Sequence, residues 1–178
     1  RRQRQMCIRD SSTVVTAMEG NGVTYGIKVA GLGNQWFTAP APRLEGEYVA
    51  ADIKVEDVLP WIGDSCMLEA CGLGGSAAAA APAVMRSQGL SWMDGIERSR
   101  LTEEITLARH ESYLVPALDY QGTPLGIDIR KVLRTGIEPV IHGGIISKSG
   151  KRLGTGVAHV PMKCFEGAIE GYAERYGL

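Results

Sequence analysis

The order of apolar and polar residues near the start of the chain predicts a short helix followed by a strand. Asp10 and the two serines after it are good helix caps and precede an apolar run, which predicts a helix from about Ser12 to Glu19. Gly20-Asn21-Gly22 ends that helix, because both residue types tolerate the left-handed conformation. Residues 23–29 then alternate between apolar and polar, which is typical of a half-buried strand.

The rest of the chain mixes helical and strand patterns. The proline-containing stretch from Gln35 to Asp57 predicts a long irregular loop. Helices are predicted from about Asp64 to Cys71, from Ser76 to Met85 with an interruption at Pro82, from Ser91 to about Ala108, from Ile129 to Gly136 and from Pro161 onward. Strand pairs are predicted for Tyr113–Tyr120 with Leu125–Ile129, and for Glu138–Ser147 with Leu153–Val160. The predicted fold class is α+β, with mixed, mostly antiparallel strands and packed helices.

Composition narrows the class of protein. The chain has 178 residues, of which 44% are hydrophobic and 22% charged, so one domain with a substantial core is expected. The net charge of −1 provides no basic surface for nucleic acid or an anionic membrane. No run reaches the ~18 apolar residues of a transmembrane helix. Because the first residue is not Met, we expect residues 1–178 to be one domain of a longer protein.

The cysteines carry little signal for a metal or redox site. Cys7, Cys66, Cys71 and Cys164 form no CxxC pair, which suits neither a zinc site nor a disulfide framework. Reduced thiols in a cytoplasmic protein are the simplest interpretation. We therefore predict no metal site at these cysteines.

A glycine-rich segment, Gly72-Leu73-Gly74-Gly75-Ser76, precedes a predicted helix. Backbone N–H groups at a helix start can hold an anion, although the Walker and Rossmann spacings are both missing. The alternative is that these glycines only allow close packing. Just before them, Ser65 and Glu69 are four residues apart and would share a helix face. Asp64 beside them is either an acid/base group or an ordinary helix cap.

Two other segments place polar groups next to glycines or turns. His142-Gly143-Gly144 follows an apolar strand, where the imidazole can reach a ligand or can be satisfied by a nearby carbonyl. Asp128 and Arg130 are two residues apart and would share one strand face, as a structural ion pair or as a ligand site. Ser11 and Ser12 can cradle an anion, but hydroxyls at such positions are most often caps.

Four long blocks of the chain resemble one protein family. They are "SSTVVTAMEGNGVTYGIKVAGLGNQWFTAPAP", "GDSCMLEACGLGGSAAAAAPAV", "YLVPALDYQGTPLGIDIRKVLRTGIEPVIHGGI" and "GTGVAHVPMKCFEGAI". Together they look like the C-terminal portion of the AllG/YlbE/YahG family. The resemblance runs from about Cys7 to Gly171 and rests on ordered blocks rather than on one short motif.

The resemblance implies a subunit of a carbamoyltransferase that converts oxalurate and phosphate to oxamate and carbamoyl phosphate in purine (allantoin) catabolism. It implies an FdrA-like partner and other complex subunits, a small carbamoyl substrate with phosphate, and no cofactor. Such a reaction needs an anion cradle and donors for a developing oxyanion. On residue type and block membership, we predict Asp64 and His142 as catalytic residues. The predicted substrate- or anion-binding residues are Ser11, Ser12, Asn21, Gly74, Gly75, Arg130, Gly143 and Gly144.

Two other hypotheses stay open at this point. The chain can be a non-catalytic assembly subunit whose glycine blocks pack against partners, or a metal-dependent amidohydrolase. The latter needs three or more converging ligands, and the chain has only three histidines. Clustering of Ser12, Asp64, Gly74, His142 and Gly156 around one pocket would favour the carbamoyltransferase, whereas their dispersal under an exposed apolar patch would favour assembly.

Overall fold

The structure, a computed structural model, describes residues 11–50 and 53–178 and forms three antiparallel sheets within them. The strands are β1 (Val15–Asn21), β2 (Thr24–Val29), β3 (Phe37–Pro40), β4 (Glu45–Tyr48), β5 (Ile62–Gly63), β6 (Thr106–Val115), β7 (Gln121–Ile127), β8 (Val140–Ile146) and β9 (Arg152–His159). The first sheet has the order β3-β2-β1-β5, the second β4-β9-β8, and the third is the β6-β7 hairpin.

The helices in the described residues are short except for two. They are α1 (Met67–Ala70), α2 (Pro82–Arg86), α3 (Trp92–Glu104), α4 (Ile129–Thr135) and α5 (Met162–Tyr176). A kinked 3-10 segment, Gly74–Ala80, joins α1 to α2. None of these helices is both long enough and apolar enough to cross a membrane.

The main core lies between the first sheet, the second sheet and α5. Phe165 and Ala168 of α5 are fully buried, and the Phe37 ring of β3 packs against Gly171 of the same helix. Trp61, which is 1% exposed, fills the space between the first two sheets. Its indole lies between Gly20 of β1 and Gly143 of β8, where an added Cβ would come within 2.8 and 2.7 Å of the ring.

The structure confirms the α+β class and the antiparallel arrangement of the strands. The strand predicted over Tyr113–Tyr120 instead begins at Thr106 and ends at Val115, because Pro116–Leu118 forms a 3-10 turn.

Helix α3 begins after Ser91, as the sequence predicts, and Ser91 forms a reciprocal hydrogen-bond pair with Asp94. Pro82 begins α2 after a non-helical Ala81, and Gly136 ends α4 in the left-handed conformation. The β8-β9 hairpin and the last helix are also confirmed.

The predicted helix over Ser12–Glu19 is wrong, because this segment forms strand β1. A β-bulge between Val15 and Ala17 turns both Val15 and Met18 toward the core, and this spacing of three imitates helical periodicity. The stretch predicted to stop a helix is a hairpin turn, in which the Asn21 side chain accepts hydrogen bonds from two backbone N–H groups. Asp10 lies outside the described residues.

Three other predicted boundaries need correction. The irregular stretch Gln35–Asp57 contains two short strands, β3 and β4, at sheet edges that tolerate proline. The helix predicted to end near Ala108 ends at Glu104, because Thr106 already pairs with Ile127 in the β6-β7 hairpin. Helix α1 begins only at Met67. Asp64 is not its side-chain cap, since only the Asp64 carbonyl oxygen accepts a hydrogen bond, from the Met67 N–H.

Candidate functional site

The predicted site residues fall into three groups, and the first surrounds the start of α4. Asp128 is fully buried and caps this helix, accepting hydrogen bonds from the Arg130 N–H at 2.8 Å and from the Thr13 hydroxyl at 3.0 Å. The Arg130 guanidinium also pairs with Asp128, at 2.8 Å. Burial raises the pKa of Asp128, but the hydrogen bonds from Arg130 and Thr13 outweigh it and lower the pKa overall. The charge of Arg130 is therefore paired within the chain.

The two predicted serines lie on the same side of the molecule and are engaged locally. The Ser12 hydroxyl accepts a hydrogen bond from the Val14 N–H at 3.3 Å. The Ser11 carbonyl accepts one from the Tyr172 hydroxyl at 2.6 Å. These contacts tie the start of β1 to α5.

The second group lines a shallow groove of about 500 Å³ that contains Asn21 and Asp64 together with Glu19. Asn21 holds the β1-β2 turn with its amide oxygen, and Asp64 is exposed. The glycine floor of this groove includes Gly20, which packs against one end of the Trp61 indole. Gly143 packs against the other end, so this indole separates the second group from the third.

The third group converges on Glu69, which the sequence analysis did not select as a site residue. Its side chain is 2% exposed, and its Oε1 accepts hydrogen bonds from the Gly75 N–H at 2.8 Å and from the His142 N–H at 3.0 Å. Gly74 packs directly on this carboxyl group with φ +57°, so an added Cβ would overlap Oε1. Gly144 lies farther along β8, paired with Thr155. The carboxyl group thus joins the glycine segment to β8.

In the glycine segment, the Gly75 N–H donates to the protein's own Glu69 carboxyl group. Burial raises the pKa of Glu69 to about 7, and the hydrogen bonds from Gly75 and His142 only partly oppose this rise. Its Oε2 atom and the hydroxyl of buried Tyr25 have no hydrogen-bond partner among the described residues. Burial also raises the pKa of the neighbouring Cys66 thiol to about 11, so Glu69 is the group in this cluster that titrates near neutral pH.

His142 connects the buried Glu69 to a residue nearer the surface. Its Nε2 lies 3.0 Å from Nη1 of Arg98 on α3. Burial, together with the charge of Arg98, lowers the pKa of His142 to about 4. The imidazole is therefore neutral at pH 7, and since a guanidinium has no acceptor, Nε2 must accept the hydrogen bond and Nδ1 must carry the proton. This tautomer is assigned from the hydrogen-bond network.

Arg98 lines a groove of about 480 Å³, here called the Arg98 groove. It is bounded by Asp94, Arg98 and Thr102 of α3 on one side, and by Glu138, Val140 and His159 on the other. The Val140 carbonyl packs against Gly75, so the groove lies directly beside the segment held by Glu69. Glu69, His142 and Arg98 thus form a continuous path of contacts from the core to this groove.

Sequence gave only a weak signal for these residues. Glu69 is an acid within a stretch of apolar and small residues, and its placement four residues after Ser65 had marked it as a side chain of interest. Arg98 lies in the middle of an ordinary helix, and its contact with His142 spans 44 residues. No group of three or more His, Cys, Asp or Glu residues that could hold a metal occurs in the residues the structure describes. Cys7 lies outside them.

The arrangement is suited to binding and orienting an anion. It offers a half-buried guanidinium fixed by a neutral histidine, next to backbone that a buried carboxyl group holds in place. Guanidinium groups bind carboxylate and phosphate through paired hydrogen bonds. Glu69 is too deeply buried to touch a ligand in the groove and acts by positioning Gly75 and His142.

Comparison with known proteins gives a consistent picture. Residues 4–65 match the family model described as "Oxamate carbamoyltransferase subunit AllG". The chain is 44% identical over 169 residues to "Uncharacterized protein YahG" of Escherichia coli (strain K12), covering 94% of this chain and 36% of YahG. It is 40% identical over 171 residues to "Oxamate carbamoyltransferase subunit AllG" of the same organism, covering 94% of this chain and 41% of that protein.

A solved structure has the same fold. It is the crystal structure of a conserved protein of unknown function from Enterococcus faecalis V583, with a TM-score of 0.86 and 39% sequence identity. The match covers 91% of this chain and 39% of that one. In each case the chain spans only about two fifths of the length of the protein it matches.

Proposed function

The chain belongs to the AllG family, and we propose from this that it is the C-terminal portion of a carbamoyltransferase subunit of the oxalurate/oxamate type. The subunit acts in the cytoplasm, in purine (allantoin) nitrogen catabolism, together with an FdrA-like subunit and other subunits of the complex. Family membership supports the reaction class, because the relative named AllG is described as an oxamate carbamoyltransferase subunit.

The proposed reaction transfers a carbamoyl group from nitrogen to phosphate. A phosphate oxygen attacks the ureido carbonyl carbon of oxalurate, the bond from that carbon to the inner nitrogen breaks, and that nitrogen takes the proton from hydrogen phosphate. The products are carbamoyl phosphate and oxamate. Every species in this reaction is an anion, so the protein must fix charged groups close together and exclude competing orientations.

The observation that carries the proposal is the buried Glu69 carboxyl group and what it holds. Its Oε1 fixes the backbone of Gly75 and His142, and the His142 ring fixes Arg98 at the edge of a groove. A guanidinium held in this way is not free to rotate toward solvent. It therefore provides the preorganised positive charge that transfer between anions requires.

The test uses the whole encoded polypeptide, co-expressed with its FdrA-like and other subunits. Carbamoyl phosphate formation from oxalurate and phosphate is measured for the wild type, His142→Ala and Asp64→Asn. His142→Ala releases Arg98, and we expect the rate to fall about 100-fold, the scale of a misplaced binding group. Asp64→Asn tests the second groove separately, because it removes a charge there and keeps the side-chain shape.

The outcomes divide clearly. Loss of activity in an assembled His142→Ala complex places this constellation in the active site. Loss in Asp64→Asn alone places the chemistry in the groove of Asn21 and Asp64 instead. A wild-type complex that forms no carbamoyl phosphate contradicts the proposed reaction.

A non-catalytic assembly role is the second candidate. Ser12, Asp64 and His142 lie in three separate groups rather than around one pocket, and exposed apolar side chains also favour this role. Trp92, Met93 and Leu101 of α3 are 60%, 54% and 47% exposed, and Leu107 and Leu114 of β6 are also about half exposed. Exposed apolar side chains of this size are often found at contacts with a partner. Full activity of complexes carrying His142→Ala and Asp64→Asn would support this role.

A further inference from the structure

We infer that the Arg98 groove binds a small molecule that carries both a carboxylate and N–H donors, with Arg98 as the anchor for the carboxylate. The inference deepens the proposed function, on which the choice of oxamate as the probe rests. It assigns the ligand to a groove and to a residue that the family name does not specify.

One edge of the Arg98 guanidinium is held by contacts within the chain and the other is not. The side-chain hydrogen bonds of Arg98 start from Nη1, which contacts His142 Nε2 at 3.0 Å, Gln88 Oε1 at 3.3 Å and Met85 Sδ at 3.8 Å. Within the described residues, Nε and Nη2 donate to no acceptor, and no carboxylate forms a direct ion pair with Arg98. Burial lowers the pKa of Arg98, and the charge of nearby Asp94 partly opposes this shift. A guanidinium has five N–H donors in a fixed plane, and its Nε–Nη2 edge matches the two oxygens of a carboxylate. The fixed Nη1 therefore leaves the pairing edge available.

Besides Arg98, the groove is lined by three negatively charged side chains. Asp94, Glu97 and Glu138 also line it, so a dianion such as phosphate would meet three carboxylates. Asp94 is engaged by Ser91, and Glu138 Oε1 accepts a hydrogen bond from the Met162 N–H. Their other oxygens and Glu97 remain as acceptors for N–H groups. A ligand with one carboxylate and an amide or ureido group satisfies both kinds of side chain.

Apolar side chains form another part of the groove wall. Leu90, Leu101, Ile137 and Val140 complete the lining, and the groove volume of about 480 Å³ is ample for a ligand of this size. Apolar walls lower the local dielectric and strengthen the contact between a guanidinium and a carboxylate. The groove therefore favours a compact, planar anion over a hydrated ion.

The experiment is a calorimetric titration of oxamate into the assembled complex. The protein is the wild type, Arg98→Gln, Arg98→Lys or Arg100→Gln. Arg100 lies on the same helix, is exposed and does not line the groove, so Arg100→Gln is a control for loss of one positive charge. We expect Arg98→Gln to weaken oxamate binding about 10- to 100-fold, the scale of charge-assisted hydrogen bonds. Arg98→Lys keeps the charge without the planar fork and should show an intermediate loss.

Two further ligands test the chemical class. Acetamide has the N–H donors without the carboxylate and should not compete with oxamate, and inorganic phosphate should not displace it from the wild type. Absence of oxamate binding, binding unchanged in both Arg98 variants, or equal competition by phosphate would each overturn the inference. Arg98→Lys guards against misfolding of the Gln variant, because it preserves the charge beside His142.

The groove inference and the proposed function can be refuted independently of each other. Oxamate binding through Arg98 without carbamoyl phosphate formation would keep the groove as a carboxylate site and refute the transferase. Carbamoyl phosphate formation with oxamate binding that is independent of Arg98 would keep the transferase and refute the groove.

Discussion

Replacing Glu69 by Gln should make the protein more stable at alkaline pH and change it little at acidic pH. Glutamine keeps an oxygen that accepts the hydrogen bonds from Gly75 and His142, while it removes a charge buried at 2% exposure. Its NH₂ group takes the position of Oε2, the atom that has no partner among the described residues. The substitution therefore separates the cost of the charge from the benefit of the two hydrogen bonds.

The magnitude follows from the pKa of Glu69, which rises from 4.5 to about 7 on folding. Because the folded-state pKa is the higher one, the favourable contribution is complete below pH 4.5 and is lost as the pH rises through 7. Ionisation then costs less than about 1 kcal/mol at pH 5 and about 3 kcal/mol at pH 8. From pH 5 to pH 8, the free energy of unfolding of Glu69→Gln should therefore increase relative to that of the wild type by about 2 to 3 kcal/mol.

The contribution of His142 to the free energy of unfolding has the opposite pH dependence, so it must be removed by comparing two proteins that both contain His142. Its folded-state pKa is lowered to about 4, so its contribution is present above pH 6.5 and is lost as the pH falls. Between pH 5 and 8 this amounts to roughly 2 kcal/mol and nearly hides the effect of Glu69 in the wild type alone. Both proteins contain His142, so the difference between them isolates Glu69.

The assay is urea-induced unfolding at pH 5 and pH 8, followed by tryptophan fluorescence, to which buried Trp61 contributes together with Trp36 and Trp92. The linear extrapolation gives the free energy of unfolding in water for each protein. Equal differences between the two proteins at the two pH values would refute the assignment of a titrating carboxyl to Glu69. A large loss in Glu69→Gln at both pH values would show instead that the buried NH₂ group of glutamine does not fit the position of Oε2.

Two further substitution pairs test the packing and the first group of predicted site residues. Gly143→Ala should destabilise the fold by about 1 to 3 kcal/mol, since its Cβ would lie 2.7 Å from the Trp61 ring; Gly144→Ala, whose Cβ would meet nothing closer than 3.6 Å, should be nearly neutral in the same urea titration. Asp128→Ala should cost about 2 to 4 kcal/mol by leaving buried donors unsatisfied, whereas Arg130→Ala, with a side chain 62% exposed, should cost less than about 1 kcal/mol. An equal cost for Asp128→Ala and Arg130→Ala would contradict the view that the buried cap, rather than the exposed ion pair, stabilises the start of α4.

Sequence determined the elements whose signals are local. The alternation of residues 23–29 gave β2, Ser91 as a cap gave the start of α3, and Gly136 gave the end of α4. The Asp94 side of the cap was not predicted, but the other signals succeed because a cap residue, a turn or a two-residue period depends on neighbours within a few positions of the chain. The family resemblance was equally available from the sequence, because it rests on ordered blocks of residues.

Tertiary structure decided the rest. The bulge in β1 made a strand look helical, because pairing with β2 and the buried core, rather than local propensity, set which side chains face inward. Glu69 is 73 residues from His142, and His142 is 44 from Arg98, so no local pattern can report their contacts. Burial by distant segments raises the pKa of Glu69 and lowers that of His142. The predicted residues Gly74, Gly75 and His142 are brought together only because the chain folds a carboxyl group into the space between them.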